Sequence, residues 1–163
     1  MKKRLIFQAL AFVAMVAAGV LAASCAPAPQ TDKTPAAGGQ MPASIMDPYL
    51  KIQDALARDS VDGVKANAGL IATAASGLGS PAMKIDMAAV QLTSTGDELP
   101  ETRDRFGALS EAIVDYMHGL HLTPPAGVRE AFCPMALKPW LQEGTTLANP
   151  YYGTAMPTCG SFR

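Results

Sequence analysis

Apolar residues recur at intervals of three and four over four stretches of the chain, and the breaks between them carry helix-stopping residues. In the first stretch Asp47 precedes Pro48, an N-cap followed by proline at the first helical position, and Tyr49, Ile52 and Leu56 then share a face. Ser60 or Asp62 opens the second, where Val61, Val64, Ala68, Ile71, Ala75 and Leu78 step without a miss until GLGSP. The third spans about 81–93, with Ile85, Ala88 or Ala89, and Leu92 on one side. The fourth carries Phe106, Leu109, Ile113, Tyr116 and Leu120 and ends at TPP. Short loops between such helices mean antiparallel neighbours, so the pattern predicts an all-α protein, an up-and-down four-helix bundle.

The pattern changes after the fourth helix. Residues 123–163 are dense in proline and aromatic side chains and read as an irregular tail that must pack on the bundle. LKPWLQEGTTL suggests one or two helical turns, NPYYG a turn, and VREAFC with TCGSFR can pair as two short strands. No internal repeat of solenoid period is present.

At the other end, MKKR followed by LIFQALAFVAMVAAGVLAA and small residues reads as an export signal, 1–25. An uncleaved transmembrane anchor is the competing reading, since the run is nearly long enough to span. The small and proline-rich residues that follow favour cleavage. Leu21-Ala22-Ala23-Ser24-Cys25 resembles a bacterial lipobox, with Ala22 where leucine is usual. That resemblance implies a lipidated Cys25 at the mature N-terminus, a membrane attachment through lipid, and, with Ala26 next, sorting to the outer membrane on the periplasmic side. Residues 26–44 are rich in Pro, Ala and Gly and read as a flexible tether, leaving 45–163 as the folded domain.

Charge narrows the partners. Removing Lys2, Lys3 and Arg4 with the signal leaves ten basic residues against fourteen acidic ones, which is no footprint for nucleic acid. Few aromatics and many alanines agree with helices. The chain has no G-x-S-x-G elbow, no H-E-x-x-H and no phosphate-cradling glycine loop, so the reading is a non-enzyme.

Chemistry concentrates in the tail. Cys133-Pro134-Met135 and Met156-Pro157-Thr158-Cys159 set a thiol and a thioether at each end of one segment. Lipidating Cys25 removes the odd cysteine of three and leaves Cys133 and Cys159 as a pair. Thiolate and thioether are soft donors that select Cu(I) and its relatives. If the tail folds back at NPYYG, Cys133, Met135, Met156 and Cys159 make a four-sulfur site, with Cys133 and Met135 a pincer if that stretch is extended. The second reading of the same pair is a structural disulfide, worth about 3 kcal/mol for a loop of this length. His118 and His121, near the end of the fourth helix, suit the helix dipole better than a ligand role. Met83 and Met87 read as core or interface residues, and Trp140 as an anchor for the tail. A Cys133 nucleophile with His118 or His121 as base leaves the second sulfur pair unexplained.

AFCPMALKPWLQEGTTLANPYYGTAMPTCGSF resembles the tail of an uncharacterised bacterial family of exported helical proteins, with the pattern C-P-M, a tryptophan, then N-P-Y-[YF]-G-x-x-M-x-x-C-G. Members occur alone or fused to periplasmic adaptor subunits of heavy-metal efflux systems. YLKIQDALARDSVDGVK and FGALSEAIVDYM are similar too, so the likeness covers about 45–162. Cys133, Met135, Met156 and Cys159 match the pattern, as do Trp140, Asn149, Pro150, Tyr151 and Gly153. The resemblance implies an envelope lipoprotein that handles Cu(I) or Ag(I), buffering it or passing it to an efflux adaptor or another envelope protein. The alternative is a non-metal interaction module whose Cys133–Cys159 disulfide pins a tail onto a bundle.

Overall fold

The computed structural model describes residues 34–163; the signal, the lipobox cysteine Cys25 and the first part of the tether lie outside the described residues. Four helices follow one another: α1 (Ala43–Ala57), α2 (Val64–Ser76), α3 (Met83–Thr93) and α4 (Leu99–Gly119). Each packs on the next through its apolar stripe, Ile52 and Leu56 on α1, Ala68 and Ile71 on α2, Ile85 and Leu92 on α3, Leu109 and Ile113 on α4, all buried. No helix among the described residues is long and apolar enough to cross a membrane.

The tail is not irregular. It forms a three-stranded antiparallel sheet of β1 (Val128–Cys133), β2 (Lys138–Glu143) and β3 (Ser161–Phe162), in the order β2-β1-β3. The domain is therefore a mixed helix-plus-sheet fold, which overturns the all-α expectation. VREAFC does meet the last residues, with Ala131 opposite Phe162 and Phe132 opposite Ser161. LKPWLQ, expected to be helical, is instead the strand β2, with Ala131 opposite Trp140 and Cys133 opposite Lys138. Pro139 cannot supply a helical N–H. Trp140, Leu141 and Gln142 are all buried in succession, so β2 lacks the alternation by which a half-exposed strand announces itself.

That double burial has a cause. β2 lies against both α1 and α4 and so closes the helical layer where a fully helical bundle would pack those two directly. Its free edge is met by Tyr49 of α1, whose buried hydroxyl accepts the Leu141 N–H at 3.0 Å and lies 2.6 Å from Ser110 Oγ of α4. Burial pushes the Tyr49 phenol well above its ordinary pKa, so it stays a neutral donor and acceptor. The Tyr49 ring stacks on Phe106 at 5.2 Å, Phe106 meets Tyr151 at 6.1 Å, and Tyr151 meets Trp140 edge-on at 6.1 Å. One aromatic row thus runs from α1 through α4 into the tail.

Two boundaries differ from the sequence reading. Helix α1 starts at Ala43, upstream of Asp47, because Ile45 and Met46 are both fully buried and extend its apolar face. Pro48 then sits inside the helix rather than at its first position. The chain is also packed well before residue 45. Thr34 Oγ1 donates to Leu78 O at 2.6 Å, Gly38 N–H to Leu120 O at 3.0 Å, and Met41 N–H to Thr123 O at 2.9 Å, with the Met41 side chain in the core.

Tyr49→Phe should keep the stacking and remove both hydroxyl contacts, leaving the Leu141 N–H unpaired. The expected loss is about 1–3 kcal/mol, the cost of an unsatisfied buried polar group, measured by urea unfolding with an unchanged m-value.

Candidate metal centre

Strand β1 ends at Cys133, whose side chain is fully buried. The hairpin turn of Pro134, Met135, Ala136 and Leu137 then wraps around the sulfur, and Ala136 donates its N–H to Cys133 Sγ at 3.4 Å. Leu137 takes a left-handed conformation, φ 55°, to rejoin β2. Met135 is therefore in a turn and not in extended chain. It is 62% exposed, and the two-residue spacing that would aim it beside Cys133 does not apply.

The second cysteine comes back through NPYYG. Asn149 is fully buried, and its Oδ1 accepts the N–H groups of Tyr151 at 2.8 Å and Tyr152 at 3.2 Å, an Asx turn. Its Nδ2 donates to Cys133 Sγ at 3.3 Å and to the Cys159 carbonyl at 2.6 Å. One amide thus holds the sulfur of one cysteine and the backbone of the other. Cys159, half-buried, forms a turn with Met156 through Cys159 N–H to Met156 O at 3.2 Å. Gly160 follows with φ 143°, and any Cβ there would meet the Trp140 ring at 2.6 Å. Trp140 anchors this turn, its Nε1–H donating to Gln142 Oε1 at 2.9 Å.

Both cysteines are free thiols, and the Asn149 amide, bonded to the sulfur of one and the carbonyl of the other, brings them together. Burial pushes the Cys159 thiol above its ordinary pKa, and the neighbouring Cys133 sulfur raises it further. Cys159 is thus held as a thiol at neutral pH. Of the four predicted sulfur ligands, the structure brings Cys133 and Cys159 together, ties half-buried Met156 to Cys159 through the turn, and leaves Met135 projecting mainly to solvent. Among the described residues no three His, Cys, Asp or Glu side chains converge.

The histidines lie elsewhere. His118 Nε2 sits 3.0 Å from Glu130 Oε2, and His121, exposed with φ 54°, follows the end of α4. Cys133 pairs with Lys138, whose ammonium reaches Asp104 in the first half of α4.

Sequence reasoning missed two groups that position this site. Asn149 was read only as a turn residue; its Asx role is visible in N-P-Y, but the long-range use of its amide nitrogen is not. The other is a polar clasp under the NPYYG loop. Arg103 donates to Pro150 O at 3.0 Å and Leu56 O at 2.9 Å, and also pairs with Asp59, which takes hydrogen bonds from Thr154. Gly153, at φ 53°, passes so close that a Cβ would collide with Asp59 Oδ1 and Arg103 Nη2.

Comparison with protein-family models, with curated proteins and with solved structures returns no match for this chain.

Asn149→Asp keeps the Oδ1 acceptor of the Asx turn and removes both Nδ2 donors. Alkylation of the thiols should shift to higher pH, because the sulfur loses a donor and gains a carboxylate, and an unshifted profile would contradict the assigned role. Asp59 gives a separate expectation. Its folded-state pKa is lowered by the Thr154 hydrogen bonds and then by Arg103. It therefore stabilises the fold above the ordinary aspartate range, about 3.9, and that contribution is lost as pH falls through the lower folded value. Asp59→Asn should flatten the acid limb of the stability profile between those values, as read by thermal melts at a series of pH values.

Proposed function

We propose that the protein is an envelope lipoprotein that binds Cu(I) or Ag(I) through Cys133 and Cys159, buffering the ion or delivering it to a metal-efflux partner. The observation that carries this reading is the buried Asn149 amide that joins Cys133 Sγ to the Cys159 carbonyl, with the Ala136 N–H also aimed at Cys133 Sγ. N–H donors on a sulfur are the outer contacts that orient a thiolate ligand on a metal. Two thiolates and neighbouring thioethers suit a soft monovalent ion. Met156, half-buried in the Cys159 turn, is the better placed thioether, and Met135 is the outer one. Binding must displace the thiol protons, so apparent affinity rises with pH. The lipobox at Cys25 supports anchoring, and the tail's resemblance to a family fused to efflux adaptors supports the partner class.

The same juxtaposition favours one other reading, an interaction module in which an external oxidant takes two electrons and two protons from the pair to give a Cys133–Cys159 disulfide.

Anaerobic competition for Cu(I) between the reduced protein and a chromophoric chelator tests the proposal. Cys133→Ser or Cys159→Ser should abolish competition, Met156→Leu should weaken it, and Met135→Leu should matter least. Competition that survives loss of either cysteine overturns the site. A melting temperature that falls on reduction, and that Cu(I) does not restore, supports the disulfide reading instead.

A further inference from the structure

Helix α3 packs through Ile85, Ala88, Ala89 and Leu92. Met83 and Met87 take no part in that face; they are 56% and 57% exposed, which removes the expectation that they serve the core. Side chains at i and i+4 stand about 5–6 Å apart at Cβ on a helix. Methionine has three rotatable bonds and a polarizable sulfur, so two such side chains can close on one ion without moving the backbone. Thioethers are neutral and soft, which selects Cu(I) and Ag(I) over hard cations.

The surroundings suit a monovalent cation. Met87 borders a groove between α3 and α4 whose other wall carries Glu111 and Asp115, with Gln91 at one end. Asp86 lies on α3 itself. Against these three carboxylates stand Lys84, 4.0 Å from Asp115, and Arg105, 3.3 Å from Gln91 Oε1. The local balance is acidic, and both basic groups already face polar partners.

We propose that Met83 and Met87 form a second soft-metal site, a thioether-only pair on the outer face of α3 that is independent of the thiol pair in the tail. Binding there displaces no proton and involves no change of oxidation state. It therefore persists at low pH and after the cysteines have been oxidised, conditions under which a dithiolate site is lost. Both sulfurs are open to solvent, so an ion held there exchanges readily with other ligands.

The test uses Ag(I) in chloride-free buffer and protein labelled with 13C at the methionine methyl groups. In Cys133→Ser/Cys159→Ser protein, the Met83 and Met87 methyl signals should shift together and saturate at one ion. Met87→Leu, which preserves helix propensity, should abolish the shift at Met83. If the double cysteine variant does not fold, the same comparison is made with the cysteines intact, because each methyl signal reports its own residue. Unmoved Met83 and Met87 signals overturn the proposal, as does a Met83 shift that survives Met87→Leu. A change in sedimentation on Met87→Leu without any Ag(I) response also overturns it, assigning the face to contacts between copies of the chain. None of these outcomes depends on whether the tail thiols bind Cu(I).

Discussion

A single buried amide organises the tail. Asn149 has two donors and two acceptor positions on its side chain, and all four are used: the donors on Cys133 Sγ and the Cys159 carbonyl, the acceptor on the Tyr151 and Tyr152 N–H groups. A buried amide left with any of these unmet costs about 1–3 kcal/mol. Full satisfaction therefore fixes the distance from the hairpin turn to the returning chain, and with it the meeting of the two cysteines. The neighbouring amide of Gln142 works the same way, accepting from Trp140 Nε1–H and Ala148 N–H and donating to Thr146 O. Between them these side chains replace a regular backbone ladder over a segment that, among the described residues, has little strand of its own.

Helices were legible because their apolar residues alternate with polar ones at helical spacing, and that spacing survives even where propensity is poor. The start of α1 was not, since Asp47-Pro48 is a good local start signal and only the burial of Ile45 and Met46 by the rest of the chain moves the start to Ala43. β2 was hidden for a different reason. A strand held between helices on one side and a returning loop on the other buries consecutive residues, and Trp140-Leu141-Gln142 then resembles a helical turn as much as a strand. The tertiary setting that would decide between them is supplied by Tyr49, some ninety residues away.

Site residues were legible as a composition and illegible as a geometry. Mirrored thiol and thioether pairs drew attention to this segment, and its fold brings two of the four sulfur residues together through Asn149. The pincer failed because it assumed extended chain through Met135, where the strand has already ended. Glycines told part of the story in retrospect: Gly153 and Gly160 both stand where a Cβ would collide, one with the Asp59–Arg103 pair and one with Trp140. Each marks a close approach of the tail to something distant in sequence, and no local pattern reveals what.

The two thiols are unequal, and that inequality shapes what the pair can do. Cys133 is sealed in the interior with N–H donors from Asn149 and Ala136 on its sulfur. Cys159 is half-exposed, and burial together with the neighbouring sulfur keeps its proton on. In the proposed role an approaching soft ion meets Cys159 first, and its capture must displace that proton. In that role Cys133, oriented by its two N–H donors, completes the site. In that role release returns a proton to each sulfur. In the proposed role this makes the outer thiol the group that exchanges with a partner and the inner one the group that retains the ion.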